Sequence, residues 1–480
     1  MRKTKIIVTI GPTSRDPETL DRLMAAGIDC ARLNFAHGTL EEHGEVIRIL
    51  RQLSEKYQRP VAILQDLGGV KLRLGQLEGT VRLIPGQEVW VVPEASSRQP
   101  DVLPFPRPDI LQNLVRGNLV YIADGVICLE VLETQGSQVR ARVRNGGMLS
   151  SFKGVNLPGV KIDQPVLTED DRTALRFGVA QDVDWVAVSF VRTAEDIRDA
   201  RAYLDDIGSK ALVMAKLERA EGIDNIDSIL EGVNGVMVAR GDLGVEIPMA
   251  KVPIVQKQIV KKANEGSKVS VIATQMLRSM MVSPTPTRAE VSDVTTAVLD
   301  GCDAIMLSDE TAVGQYPVEA VEVANASIRE AEGIYPYHRD LASRDRTQAI
   351  AAGADRLVRD LNSKPIVITS TGRAALEVSR YRPNNDILVF AHDEAVLRRM
   401  CLGWGLVPAG VIPRERDVPK LVAMIVKAAL ATGLVTETDV LTIVHGLLVG
   451  VSGTTNTIQV LDMQEYLSYA SPTLEASAHR

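Results

Sequence analysis

Several function classes can be set aside by what this chain has little of. Its 480 residues hold four cysteines, Cys30, Cys128, Cys302 and Cys401, far apart and with no Cys-x-x-Cys pair. That spacing excludes a local zinc knuckle and suits a reducing compartment, where thiols stay free. No apolar run approaches the roughly 20 residues of a membrane-spanning helix. The stretch 441–451 is too short and carries His445 and Gly446. The basic start Met1-Arg-Lys-Thr-Lys5 precedes only a short apolar run, 6–10, too brief for a signal-peptide core. Positive charge is not in excess: 54 Lys and Arg against 61 Asp and Glu leave a net −7, which argues against a nucleic-acid partner. Low-complexity tracts are absent. A cytoplasmic globular protein with no membrane partner is expected.

Two suggestive motifs also lack what they need. Gly154-x-x-x-x-Gly159 is followed by Val160-Lys161 instead of Lys-Ser/Thr, so it is not a phosphate-binding P-loop. His37 and His43 have no third ligand residue at metal spacing and read as structural or substrate-adjacent.

With 45% hydrophobic and 24% charged residues, the length suggests about three domains. Apolar strand-like runs recur at 5–10, 29–33, 62–65, 185–189, 212–216, 235–239, 270–274 and 304–307. Helical patterns at 193–206, 225–230, 249–264, 288–299 and 317–332 alternate with them, and Asp16-Pro17-Glu18 opens another. Eight alternations predict a (β/α)8 barrel, the TIM-barrel architecture, over 1–67 and 164–335. The third unit is interrupted at 68–163 by strand-like runs at 89–92, 119–122, 126–132 and 139–143. These predict a small inserted β-barrel domain that leaves from a strand's C-terminal end and so covers the barrel mouth as a lid. A second α/β region spans 336–470, with a helix to Leu361 and strands at 366–369, 387–390, 441–444 and 457–460. The polar tail 471–480 is expected to fray.

The chain is organised around Gly235-Val-Met-Val-Ala-Arg-Gly-Asp-Leu-Gly-Val-Glu-Ile-Pro248. A buried strand ends there in a glycine-rich turn whose N–H groups can hold an anion. Asp242 beside that turn calls for a cation between carboxylate and anion. Lys216 and Glu218, two apart on a strand, point to one side. An ammonium, two carboxylates and an anion hole together suggest a metal-assisted site for a phosphorylated acid. A plain Lys216–Glu218 ion pair is the alternative. Other strands end in polar residues at Arg32, Asn34, Asp66, Ser189, Thr274 and Ser308, all on the rim where barrel chemistry gathers.

These motifs, with 5–11, 31–38, 154–159, 238–248, 273–277, 286–290, 299–307 and 452–457, resemble the pyruvate kinase family over nearly the whole chain. The resemblance implies a barrel with a β lid and a C-terminal regulatory domain, and phosphoryl transfer from phosphoenolpyruvate to ADP, giving pyruvate and ATP. It implies Mg²⁺ or Mn²⁺ on Glu218 and Asp242, with substrate held by Arg32, Lys216, Ala239, Gly241, Asp242 and Thr274. Lys216, Arg32, Thr274 and Ser308 carry the catalytic roles by that likeness, and Arg32, Asn34, His37, Arg73 and Lys153 the nucleotide. Potassium-dependent members have a serine, a threonine and a glutamate where this chain has Ala36, Leu67 and Lys71. Lys71 resembles the potassium-independent branch. K⁺ is therefore not expected to be required, leaving a vestigial monovalent site at Asn34, Asp66 and Leu67. Val70 and Asp309 also depart from the family pattern, replacing a proline and a glycine.

Thr369-Ser370-Thr371-Gly372-Arg373 closes a strand and opens a helix, an arrangement for a phosphate or simply a capped helix. The resemblance implies a phosphorylated allosteric effector there, helped by Ser452, Gly453 and Thr454, and a homotetramer. Two other readings remain at this point: a different Mg²⁺-dependent barrel enzyme acting on an enolate, and a non-catalytic regulator on the same fold.

Overall fold

The computed structural model describes residues 1–162, 164–446 and 455–469. Eight parallel strands close into a barrel: β1 (Lys5–Ile10), β2 (Cys30–Asn34), β3 (Ala62–Asp66), β4 (Trp185–Val188), β5 (Leu212–Leu217), β6 (Gly235–Ala239), β7 (Val269–Ala273) and β8 (Ala304–Leu307). Each pairs with its sequence neighbours, and β8 returns to β1 through Lys5↔Ala304. Buried on both faces, these strands read as short unbroken apolar runs. Outward residues such as Ile6, Val8 and Val186 join the helices in the main core. Ile7, Leu64, Met214, Met237, Val271 and Met306 fill the interior, with Cys401 and Leu402 from the C-terminal region packed against them.

Five of the outer helices start where a side chain satisfies the first free N–H groups. Reciprocal caps join Thr39 to Glu42, Thr168 to Asp171, Thr193 to Asp196 and Thr287 to Glu290, each contributing about 1 kcal/mol. Asp16 caps the helix Pro17–Ala26, which has proline at its first position and left-handed Gly27 at its end.

Between β3 and β4 the chain builds the lid. Its six-stranded sheet runs in the order Val155–Asn156, Leu119–Ile122, Ile127–Gln135, Gln138–Asn145, Glu88–Val92, Val102–Pro104, and two short two-stranded ribbons complete it. It has a core of its own, including Leu103, Ile127, Leu129 and Val131. After the barrel, a five-stranded sheet carries helices Arg346–Leu361 and Arg373–Ser379 on one face and Val418–Ala431 on the other. Its last strand, Thr455–Asp462, is antiparallel to Val440–Gly446.

Three details differ from the sequence expectation. Leu406–Val411 is an additional strand at the edge of that sheet. Pro408 and Gly410 hide it from pattern reading, and an edge is where a strand tolerates proline. The turn after β6 is itself a two-turn helix, Arg240–Glu246. The helix expected from 249 begins as a 3₁₀ turn, Met249–Lys251, and becomes α-helical at Val252–Glu265, where Pro253 sits in the first turn. The tail 471–480 and the predicted effector residues Ser452, Gly453 and Thr454 lie outside the described residues. No described helix is long and apolar enough to cross a membrane.

Candidate active site

A cavity of about 1490 Å³ opens at the C-terminal ends of the barrel strands, walled opposite by lid residues including Tyr121, Asp124, Val126 and Pro158. Nearest the lid, Gly125 closes against Val245 of the rim helix: a Cβ there would lie 3.4 Å from the valine methyl.

At the floor, charges from three strands interlock. The Lys216 ammonium lies 2.9 Å from Glu218 Oε1 and 3.3 Å from Asp66 Oδ1, and donates to Ser189 Oγ at 2.8 Å. Arg32 donates through Nε to Asp66 Oδ2 at 2.6 Å and through Nη1 to Thr9 Oγ1 at 3.0 Å. Glu218 Oε2 accepts the backbone N–H of Phe190 at 2.8 Å, and Phe190 itself holds a left-handed φ of 56°. Asp66 and Glu218 are almost completely buried. The ion pair between Lys216 and Glu218, the alternative reading of the sequence, is therefore present, but it is one edge of a larger knot.

Burial sets the protonation tendencies and charge corrects them. For Lys216, burial disfavours the cation, yet Asp66 and Glu218 outweigh it and push the pKa up to about 12. For Asp66, burial favours the neutral acid, but Lys216 and Arg32 hold the carboxyl below its ordinary value. Glu218 is raised, by burial first and by the like charge of Asp242 as well, with Lys216 opposing.

Asp242 sits in the first turn of Arg240–Glu246, with Lys71 Nζ 3.9 Å from its Oδ1. Lys71 belongs to the strap leading into the lid, and its stem passes Gly154 on the returning strap: a Cβ at Gly154 would lie 3.1 Å from Lys71 Cε. Two hard-oxygen carboxylates in mutual repulsion, open to a cavity, fit a divalent cation that takes its remaining ligands from substrate and water. Among the described residues, no three His, Cys, Asp or Glu side chains come together to hold an ion unaided.

Thr274 follows β7. Its hydroxyl donates to Ala273 O at 2.6 Å and accepts the Gly241 N–H at 2.8 Å. That N–H, expected to face a substrate carboxylate, is engaged by threonine in this structure. Ser308 follows β8, and its buried Oγ has no hydrogen-bond partner among the described residues.

Of the residues singled out in the sequence, Arg32, Asn34, Lys71, Lys216, Glu218, Ala239, Gly241, Asp242, Thr274 and Ser308 line one cavity. Asp66 lies beneath it through Arg32 and Lys216. Leu67 is buried in the main core, and His37, Arg73 and Lys153 are not among the cavity-lining residues. His37 accepts His43 Nε2 on its carbonyl, while Arg73 donates to Phe152 O in the strap ladder that also pairs it with Gly154. In the C-terminal region, Thr369 Oγ1 accepts the Gly372 N–H at 2.9 Å. Gly372 has φ 90° and leaves no room for a Cβ beside Met400. Arg373 pairs with Asp345 at 2.6 Å. Ser370 and Thr371 stand between these two anchors. Nothing in the structure explains Val70 or Asp309.

Sequence reading put Ser189 and Phe190 at the rim without foreseeing that they would meet Lys216 and Glu218, and it missed Arg240 and Asp293. Arg240 stood inside the central motif, but its partner Asp293 is one of many charged helix residues and carries no local signal.

Two family models match the chain: the pyruvate kinase barrel domain over residues 1–321 and the pyruvate kinase alpha/beta domain over 348–461. A pyruvate kinase of Geobacillus stearothermophilus is 40% identical over 479 residues, covering 97% of this chain and 81% of that protein. One from Clostridium acetobutylicum is 38% identical over 470 residues, covering 96% and 99%, and one from Staphylococcus aureus is 39% identical, covering 96% and 80%. With the closed barrel, the lid and the separate α/β domain behind these matches, the chain belongs to the pyruvate kinase family of phosphotransferases.

Proposed function

We propose that the cavity binds phosphoenolpyruvate and ADP with Mg²⁺ or Mn²⁺, and that transfer of the phosphoryl group releases pyruvate and ATP. The observation that carries this is the Lys216 ammonium set between Asp66 and Glu218, one step from Asp242. The division of labour follows the chain: 1–67 with 164–335 as catalytic barrel, 68–163 as lid, 336–470 as regulatory domain.

Phosphoryl transfer asks a protein mainly for positioning and charge neutralisation. The bond from the enol oxygen to phosphorus breaks while one forms from an ADP β-phosphate oxygen. Lys216 remains an ammonium at neutral pH and faces the charge that builds on the enolate oxygen and the moving phosphoryl group. Arg32, oriented by Asp66 and Thr9, offers its guanidinium to phosphate oxygens. Glu218 and Asp242 would hold the divalent ion, which when bound neutralises phosphate and carboxylate charge. Ala239, Gly241 and Thr274 line the position for the substrate carboxylate. The enolate carbon then takes a proton on the side of Thr274 and Ser308, relayed by water, since a threonine hydroxyl is too weak an acid to supply it alone. Asn34, His37, Arg73 and Lys153 are assigned to the nucleotide, the last two reaching it from the lid straps on closure.

Lys71 beside Asp242 supports independence from K⁺, because a fixed ammonium supplies the charge the ion would bring. Asn34, Asp66 and Leu67 are then a vestigial site. A coupled assay with phosphoenolpyruvate, ADP and Mg²⁺, free of K⁺ and Na⁺, tests this. Turnover is expected without K⁺ and to become K⁺-dependent in Lys71→Glu. Wild-type turnover that collapses and is restored by K⁺ refutes it.

A phosphorylated effector is assigned to Thr369, Ser370, Thr371, Gly372 and Arg373 with Ser452, Gly453 and Thr454, acting in a homotetramer. Replacing Ser370 and Thr371 by alanine is expected to abolish activation and spare basal turnover, and full activation in that variant sinks the site. Sedimentation reads the oligomer.

A further inference from the structure

Two adjacent rim residues, Thr274 and Gln275, have φ of 70° and 57°. Side chains disfavour this left-handed region, a β-branched one most of all. Backbone of this kind persists only where its surroundings leave it no alternative. The threonine hydroxyl is tied by Ala273 and Gly241, but the peptide joining Thr274 to Gln275 needs a hold of its own.

That hold is Arg240. Its Nη2 donates to the Thr274 carbonyl oxygen at 2.8 Å, and its Nη1 donates to Asp293 Oδ1 at 2.7 Å. The same guanidinium reaches Gln256 Oε1 at 3.4 Å and the Met276 sulfur at 2.9 Å. The Thr274 carbonyl lies in the peptide plane between the two left-handed residues. Pinning it therefore fixes ψ of Thr274 and φ of Gln275 together. Asp293, on the helix Arg288–Asp300, neutralises Arg240 and holds its planar fork in register, a geometry lysine cannot copy.

We infer that Arg240, held by Asp293, is a positioning residue for the reaction: it locks the Thr274–Gln275 peptide in its left-handed form and so keeps the Thr274 hydroxyl aimed at Gly241 and the cavity. The inference rests on Thr274 being a substrate contact. It adds two residues, one of them on an outer helix, to the machinery of the mouth.

The test is steady-state kinetics on the full-length enzyme with phosphoenolpyruvate, ADP and Mg²⁺, with melting curves alongside. Asp293→Ala is expected to lower kcat by about tenfold or more, with KM for phosphoenolpyruvate changed far less, since sub-ångström misplacement acts on the reacting geometry. Asp293→Asn keeps an acceptor for Arg240 and is expected to retain most of kcat. Arg240→Lys, which cannot reach both partners, is expected to match Asp293→Ala and serves where that variant folds poorly. Gln275→Gly removes the side-chain penalty at the second left-handed position, so Asp293→Ala/Gln275→Gly is expected to recover kcat severalfold over Asp293→Ala. A merely structural ion pair would show lost melting temperature without that recovery. Unchanged kcat in both Asp293→Ala and Arg240→Lys, or no recovery from the glycine, overturns the inference. Thr274→Ala separates the two levels. If it collapses turnover while Asp293→Ala does not, only the clamp is wrong; if it keeps turnover, the assignment of Thr274 fails and the clamp with it.

Discussion

The two ends of the barrel are built from the same eight strands and held in opposite ways. At the lower end the C-terminal region ties the strands down with ion pairs and hydrogen bonds. Arg382, almost wholly buried, donates to Asn264 Oδ1 at 2.5 Å and Gly301 O at 3.0 Å, and lies 3.2 Å from Asp303 Oδ1. Asp303 in turn accepts Ser270 N and Oγ at 2.9 Å and the Trp404 N–H at 3.1 Å. Arg398 donates to Asp184, whose other oxygen accepts the Ile63 N–H at 2.8 Å. At the upper end the Glu218 and Asp242 carboxylates repel one another beside an open cavity. Unpartnered atoms and left-handed backbone occur at both ends among the described residues, at Ser308 Oγ, Phe190, Thr274 and Gln275 above and at Arg382 and its Nε below, so the ends differ in how charge is paired. One end spends its charges on cohesion. The other keeps them incompletely answered, which is the condition for binding a charged substrate.

The contrast can be broken most sharply at Lys216. Lys216→Met is expected to lower kcat by about three orders of magnitude, the scale of losing a preorganised oxyanion contact, and a coupled assay reads it directly. Glu218→Gln should follow with about a hundredfold loss, together with a raised Mg²⁺ requirement visible in a metal titration. At the other end the loss falls on stability instead of turnover. Arg382→Leu leaves Asp303, Asn264 and Gly301 short of a donor and is expected to cost about 3 kcal/mol or more in stability, read as a lower urea midpoint. Its kcat per folded molecule should stay near wild type, and a loss comparable to that of Lys216→Met would erase the distinction between the ends.

The smallest effect is on pH. Lys216 has a pKa raised to about 12, so its ammonium contributes stability that is fully present below the ordinary value of 10.5 and is lost as pH rises through about 12. The stability difference between wild type and Lys216→Met should therefore be level through neutral pH and shrink only on the alkaline limb. A difference that already shrinks near pH 8 contradicts the buried ion-pair environment described here.

Much of the barrel was legible because its signals are local. Short apolar runs and Asp16-Pro17 mark elements within a few residues of themselves, and β1, β6 and β8 begin and end where those runs do. The rim was legible for a similar reason: polar residues ending consecutive parallel strands must converge. Pairings over distance were not. Nothing near Lys216 announces Asp66, which comes from two strands away, and nothing in Arg240 announces Asp293 on an outer helix. The strained peptide at Thr274 was equally hidden, since neither threonine nor glutamine favours left-handed backbone and only tertiary contacts impose it. The edge strand Leu406–Val411 was lost for the opposite reason, its proline and glycine reading locally as a turn.

A divalent ion at Glu218 and Asp242, beside Lys216, is the centre of the proposed function. Anomalous diffraction from crystals soaked with Mn²⁺ and oxalate tests that most directly. It should place manganese against both carboxylates with oxalate reaching toward Lys216 and Thr274, and manganese found elsewhere, with these carboxylates free, would contradict it.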